Sequence, residues 1–390
     1  MPDLPTIIQK YIDESVRQKD LPRVLERDHH VKIGLRTVQK YMKEFNILTT
    51  RRNGLTEEQQ ALAIDTLTEE DPTHRWGYRT IKEKLALQGI HIRRDGIMDY
   101  RLIKNPQATA ARHPSNAKAH PHGIWSLGPN EEWCVDGHEK ILLSMGIAVW
   151  GVADKCARME LGLWAMPNAR VRDLPPALFL RLVKKRGGMA LSTTSDKGTE
   201  VGKLIPLVTT LRATYANIPE EVLPAFKAVK STSNITRERN WRPLWEKELS
   251  NVAHHYQLGK AASGFTQGDP THVAVSAWIW GKIVQLRLDE AVHQSQMHRI
   301  RKQKNILLPS GARRIDIYNH PEDHELMDCL IKIPAKDIDD LLLEHDRPDL
   351  LQFGTDEEVA MCEAVYSAIG SPTPRAPIGW QIFCNMKKVP

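Results

Sequence analysis

Three carboxylates, each inside a short distinctive phrase, are the residues of this chain best suited to chemistry. Asp136 lies in Trp133-Cys-Val-Asp-Gly-His-Glu-Lys140, Asp196 in Ser192-Thr-Thr-Ser-Asp-Lys-Gly-Thr-Glu200, and Glu238 in Asn234-Ile-Thr-Arg-Glu-Arg-Asn-Trp-Arg242. Carboxylates are hard oxygen ligands that suit Mg2+ or Mn2+ rather than zinc. Three of them converging on a rigid frame can hold two such ions about 3.5–4 Å apart, the arrangement used for in-line attack on a phosphodiester. The chemistry supplied there is activation of a water or a 3′-hydroxyl and stabilisation of the leaving 3′-oxygen. Glu246 and Glu248 are the alternative third acids. In a continuous helix Glu246 stands ~12 Å along the axis from Glu238, too far to substitute well.

The acids are distant in sequence, so separate elements must bring them together. Residues 133–135 read as a strand ending at Asp136, and 147–152 and 161–165 as two more. A helix is expected over 175–185, stopped by the Gly187-Gly188 pair. Residues 189–194 form a fourth strand that delivers Asp196, and 226–229 a short fifth. A long helix to about Tyr256 then carries Glu238 near its start, with Pro243 either bending it or marking its true beginning. Residues 272–303 read as helical and basic. The expected class is α/β, preceded by helical units.

Residues 5–105 read as short helices. In Gly34-Leu-Arg-Thr-Val-Gln-Lys-Tyr-Met-Lys-Glu-Phe45, the apolar Leu35, Val38, Tyr41, Met42 and Phe45 repeat at helical spacing, leaving Arg36, Thr37, Gln39, Lys40 and Lys43 off that stripe. A glycine-led turn before such a helix is the pattern of a DNA-recognition helix. A helical hairpin with a solvated basic face gives the same pattern. A second group opens at Thr56, a helix N-cap, and runs through Arg79, Gly89, Arg93 and Arg94 to about Ile103. Two helix-turn-helix units are expected, with a single winged-helix unit as the alternative. Residues 106–125 are proline-, alanine- and histidine-rich and read as a linker.

The bulk numbers bound the partners. With 390 residues the chain has room for two or three domains, and 41% hydrophobic with 26% charged residues is ordinary for a soluble protein. A net charge of +6 is compatible with nucleic acid without demanding it. The five scattered cysteines suit a reducing compartment rather than a disulfide framework. No N-terminal signal is visible, and the longest mostly apolar stretch, 141–153, is shorter than the roughly 20 residues that span a bilayer.

Taken together, these phrases resemble the catalytic core of retroviral-type integrases and DDE transposases, of the kind found in eukaryotic transposable elements. The resemblance covers about residues 125–320 and extends to Trp150-Gly-Val-Ala-Asp-Lys-Cys-Ala-Arg158, similar to the family's second strand and turn. One departure stands out: the family usually has an apolar residue just before the glutamate, and here it is Arg237. The resemblance implies a ribonuclease-H-like fold, a mixed five-stranded sheet flanked by helices. It implies Asp136, Asp196 and Glu238 as catalytic metal ligands for two Mg2+ or Mn2+ ions. It also implies DNA as partner, both element ends and target, with homo-oligomerisation and nuclear residence. The organisation expected is helix-turn-helix units at 1–50 and 51–105, a linker at 106–125, a core with a basic helical extension at 126–315, and a mixed C-terminal region at 316–390. Arg36, Lys40, Arg79, Arg93, Arg94, Arg237, Arg239, Arg299, Arg301, Lys302 and Lys304 are the candidate DNA contacts, with Lys282, Arg287 and Arg242 beside them. Asn234, Thr199 and Glu200 are candidates for ordering phosphate or the metal shell. The family's N-terminal zinc domain has no counterpart in the sequence, and His320, His324 and Cys329 have only loose ligand-like spacing. Two other functions fit the same phrases: a DNA-binding regulator derived from such an element and lacking chemistry, and a metal-dependent nuclease on the same fold.

Overall fold

Amphipathic helical stripes fill the first hundred residues and strand alternation begins near residue 132. The computed structural model follows that division and describes residues 3–105, 124–168, 170–198, 200–230, 234–303 and 306–388. The chain separates into two compact units, Met1–Ala119 and His120–Pro390.

The first unit contains two three-helix groups. α1 (Leu4–Asp13), α2 (Leu21–His29) and α3 (Leu35–Glu44) form the first, and α4 (Glu57–Thr68), α5 (Tyr78–Leu87) and α6 (Arg94–Lys104) the second. Ile8, Leu21, Leu25, Val38 and Met42 fill one core, and Trp76, Ile81, Leu85 and Ile97 the other. Thr56 closes a capping box with Gln59 at the start of α4, satisfying two backbone N–H groups that the helix leaves unmet. Gly34 and Gly77 precede α3 and α5. Buried His91 lies 2.8 Å from Asp13 and ties the second group to the first. Among the described residues of this unit the only strand-like pairing is the bridge between Thr49 and Arg52. The expected linker falls largely on residues 106–123, which lie outside the described ones.

The second unit is mixed α/β. In chain order it contains β1 (Glu132–Leu142), β2 (Ile147–Asp154), β3 (Glu160–Met166), α7 (Leu174–Arg186), β4 (Gly188–Met189), β5 (Ser192–Asp196), α8 (Leu204–Tyr215) and β6 (Phe226–Val229). There follow α9 (Ile235–Leu244), α10 (Ser250–Lys260), α11 (Pro270–Met297), α12 (Arg314–Asn319), β7 (Ile331–Lys332), α13 (Ala335–His345), α14 (Asp356–Ala368) and α15 (Gly379–Met386). A five-stranded sheet runs in the order β3-β2-β1-β5-β6. β1, β2 and β3 pair antiparallel, while β5 runs parallel to both β1 and β6. Alternation along the strands divides the interior. Trp133, Val135, Trp150, Val152 and Leu161 join α7 and α8 in one core. Ile147, Val149, Leu163 and Ala165 join α9, α10 and α11 in the other.

Several boundaries moved from the sequence expectation. β1 runs six residues past Asp136 to Leu142, which leaves Asp136 mid-strand. The fourth strand divides: β4 leaves the main sheet to pair with β7, and β5 alone carries Asp196. The long helix after residue 234 is interrupted. Pro243 has no N–H to donate, and a π-helical turn at Trp245–Leu249 separates α9 from α10. α11 ends at Met297, so Arg299, Arg301 and Lys302 are not on a helix. Residues 316–390 belong to both cores: Ile317, Ile331 and Ile338 to the first, Cys362, Trp380 and Phe383 to the second. Among the described residues no helix is long and apolar enough to cross a membrane.

Candidate active site

The register of the parallel pair β1–β5 places the two aspartates. Trp133 stands beside Thr193 and Cys134 beside Thr194. The paired register ends there, and Asp136 and Asp196 each follow two residues further along their strands. Glu238 lies in the first turn of α9. The start of that helix is tied to β1 by Asn234, whose Nδ2 donates to the Val135 carbonyl at 3.1 Å.

The electrostatics of Asp136 report the company it keeps. Its carboxyl is pushed up to about 6, first by burial, then by the charges of Asp196 and Glu238; the Trp241 N–H and the Arg237 cation oppose the rise. Asp136 is 7% exposed, Asp196 half-buried and Glu238 exposed. Asp136 is therefore the buried member of the three acids, and the other two are nearer solvent. Trp241 Nε1 donates to Asp136 Oδ2 at 2.7 Å, fixing one carboxylate oxygen. His138, two residues along β1 and so on the same face, packs edge-on against Trp241 with ring centres 5.4 Å apart. Burial and the cations Arg237 and Lys140 hold its pKa below the usual histidine range.

Arg237 is a correction to the sequence reading. It is fully buried, paired with Glu160 at the start of β3, and its guanidinium stacks 3.9 Å over the Trp241 ring. It is therefore out of reach of a DNA phosphate. Its role is internal: a cation beneath Asp136, compensated by an acid from another strand. Asn234 is corrected likewise, since it is 2% exposed and engaged with the β1 backbone. Arg287 is buried and paired with Glu248 and Glu290, which withdraws it from the basic surface and withdraws Glu248 from the candidate third ligands. Glu246 pairs with Arg242 at 2.8 Å.

The remaining basic candidates are placed as follows. Arg36, Lys40, Arg79, Arg93 and Arg94 are exposed on the first unit, with Arg94 2.9 Å from Asp95. Arg239, Lys282, Arg301 and Lys302 are exposed on the second, and Lys282 stacks over Trp278. Arg299 is half-buried in a bridge with Arg313. Lys304 and Thr199 lie outside the described residues.

Trp241 is a core residue, 4% exposed, that also engages Asp136, and Glu160 and His138 were no part of the sequence expectation. Two signals pointed to them. Trp241 follows Glu238 by three positions, which shares a helix face, and His138 follows Asp136 by two, which shares a strand face. Nothing local pointed to Glu160, whose partner is remote in sequence.

The donor set fits a hard divalent cation in type and in charge: three carboxylates, one of them raised to about 6 by burial and by its neighbours. Among the described residues no three His, Cys, Asp or Glu groups are drawn together closely enough to form a ready-made metal cage. Mutual repulsion of unscreened carboxylates opposes such closure. Comparison of the sequence with protein-family models finds no match, and comparison with curated proteins finds none either.

Proposed function

We propose that the second unit is a ribonuclease-H-like polynucleotidyl transferase core, and that the protein is a DDE-type integrase or transposase that cuts and joins DNA. The observation that carries this reading is that Asp136 and Asp196 stand on adjacent parallel strands and that the charges of Asp196 and Glu238 both raise the Asp136 carboxyl. The strand order, with three antiparallel strands followed by two parallel ones, supports the fold assignment.

In this reading Asp136, Asp196 and Glu238 hold two Mg2+ or Mn2+ ions. When bound, the ions supply Lewis acidity at the reacting phosphate and lower the pKa of the attacking hydroxyl. Trp241 keeps one oxygen of Asp136 engaged and leaves the other for the ligand role. Arg237, buried behind that indole, favours the ionised form of Asp136. Arg239, exposed beside Glu238, is positioned for a phosphate of the substrate. The helical groups of the first unit bind element ends through Arg36, Lys40, Arg79, Arg93 and Arg94, and the protein acts as a homo-oligomer in the nucleus.

The test supplies the full chain with Mn2+ and labelled DNA ends. Joined products are expected, and Asp196→Asn should remove them. Cleavage without joining would make the protein a nuclease on this fold. Binding with no chemistry would make it an inert DNA-binding derivative. Joining that survives Asp196→Asn would overturn the site.

The DNA-binding assignment has its own test. Each phosphate neutralised contributes about −0.9 to the slope of log affinity against log salt. Arg36→Ala with Lys40→Ala should therefore make the slope shallower by up to about 1.8, measured by fluorescence anisotropy. An unchanged slope would return α3 to a solvated face.

A further inference from the structure

The last helices of the two groups in the first unit turn unlike faces to solvent. In α3, Arg36, Gln39, Lys40 and Lys43 follow the i, i+3, i+4, i+7 spacing of one helix face, and all four are exposed. Val38 and Met42, on the inner side, are fully buried and hold the helix to its core. Among the described residues none of the four outward side chains has a hydrogen bond or an ion pair. The matching stripe of α6 is Asp95, Met98, Asp99 and Leu102, at the same spacing and also exposed. Its two carboxylates repel phosphate, and its two apolar side chains have no donor to offer. Arg93 and Arg94 precede that stripe, and Arg94 is paired with Asp95. Of the two helices, α3 is therefore the one suited to lie against a duplex.

Within the α3 stripe one residue differs in kind. Arg36, Lys40 and Lys43 are cations, which hold phosphates and carry no sequence information in doing so. Gln39 is neutral, and its amide sets an acceptor oxygen beside a donor nitrogen. That pair complements the major-groove edge of adenine, which offers the N7 acceptor and the N6 donor. Guanine offers two acceptors there, so the amide oxygen would face another oxygen. Position agrees with chemistry. At the rise of an α-helix Gln39 stands ~4.5 Å beyond Arg36 and ~6 Å short of Lys43, so cations flank it on both sides. It is also the fifth residue of α3, in the N-terminal half, where recognition helices place their base contacts.

We propose that Gln39 is the base-reading residue of α3: its amide pairs with one adenine in the major groove while Arg36, Lys40 and Lys43 hold the neighbouring phosphates. The proposal rests on the reading of the first unit as a duplex-DNA binder and names the base that it selects.

Selection from a pool of duplexes with a randomised centre tests it, using the full-length protein and sequencing the bound fraction. The enriched duplexes are expected to share a required adenine, and changing that adenine to guanine should weaken binding by about tenfold, the size of one bidentate base contact. Gln39→Ala should erase the preference at that position alone. Gln39→Arg should turn it toward guanine, which keeps the assignment testable if Gln39→Ala binds too weakly to select. Lys43→Ala should instead weaken every duplex alike and make the salt slope shallower by about 0.9. Met98→Ala, on α6, should leave the enriched sequence unchanged. Circular dichroism checks that the variants fold. A pool with no preferred sequence, an adenine preference untouched by both Gln39 variants, or a preference that moves with Met98→Ala would overturn the assignment. Sequence selection by a protein that joins no DNA would remove the strand-transfer reading and leave Gln39 in its role. Joining without selection would do the opposite, and a protein that binds no duplex would remove both.

Discussion

Asp136→Asn is expected to abolish DNA joining and at the same time to make the metal-free protein more stable. The Asp136 carboxyl is raised from 3.8 to about 6 in the fold. In the interval between those values the folded protein holds a proton that the unfolded chain has released, so stability falls as pH rises. The penalty is absent below the unfolded value and complete above about pH 6. That rise corresponds to about 3 kcal/mol at neutral pH. Asparagine carries no charge to bury and still accepts the Trp241 N–H through its oxygen, so most of that penalty should vanish. Urea unfolding at pH 5 and pH 8 measures it: the variant's advantage should be larger at pH 8. Mn2+ should stabilise the wild-type protein and leave the variant nearly unmoved. A variant no more stable than wild type at pH 8, or one still stabilised by Mn2+, would count against Asp136 as a strained metal ligand.

Glu160→Ala is expected to be among the most damaging single substitutions outside the acids themselves. Glu160 neutralises Arg237, which is fully buried and whose Nε and Nη2 have no hydrogen-bond partner among the described residues. Removing one member of a buried pair leaves an uncompensated charge and costs about 3–5 kcal/mol. Replacing both, as in Glu160→Leu with Arg237→Met, removes the charge along with its partner and should recover most of the loss. Denaturant titration of the two variants gives the answer, and a double variant as unstable as the single one would refute the account. The double variant should also show Arg237's influence on Asp136: without that cation the metal-free carboxyl is pushed further up, so the loss of stability with rising pH should be larger. Gly151 belongs to the same packing unit: a Cβ there would meet Leu163 at 2.7 Å and the Arg237 guanidinium at 3.1 Å.

Much of the sheet was legible because strand signals are local. β6 falls on the expected 226–229, and α7 ends at Gly187 in the left-handed conformation that glycine adopts readily. The Thr56 cap was legible for the same reason. Local pattern was less informative at Asp136, where β1 continues past the acid through Gly137 and His138 because β2 pairs with it as far as Leu142. It also misled at residues 298–303. Basic residues there look helical, but Ile300 is drawn into the first core and pairs its backbone with Gly311 and Ala312.

The sequence by itself determined which acids are available, the strand and helix signals that carry them, and the glycines and caps that end those elements. Each follows from the conformational preferences of a few neighbouring residues. Only the tertiary structure decided where the arginines went. Arg239 faces solvent while Arg237, two positions away in the same helix, lies beneath the cluster, because Glu160 on a distant strand neutralises it and Trp241 covers it. Tertiary structure likewise decided that the last seventy residues complete both cores, since Trp380 and Phe383 find their apolar partners on α11. Burial and charge compensation are properties of what folds against a residue, and those partners are remote in the chain.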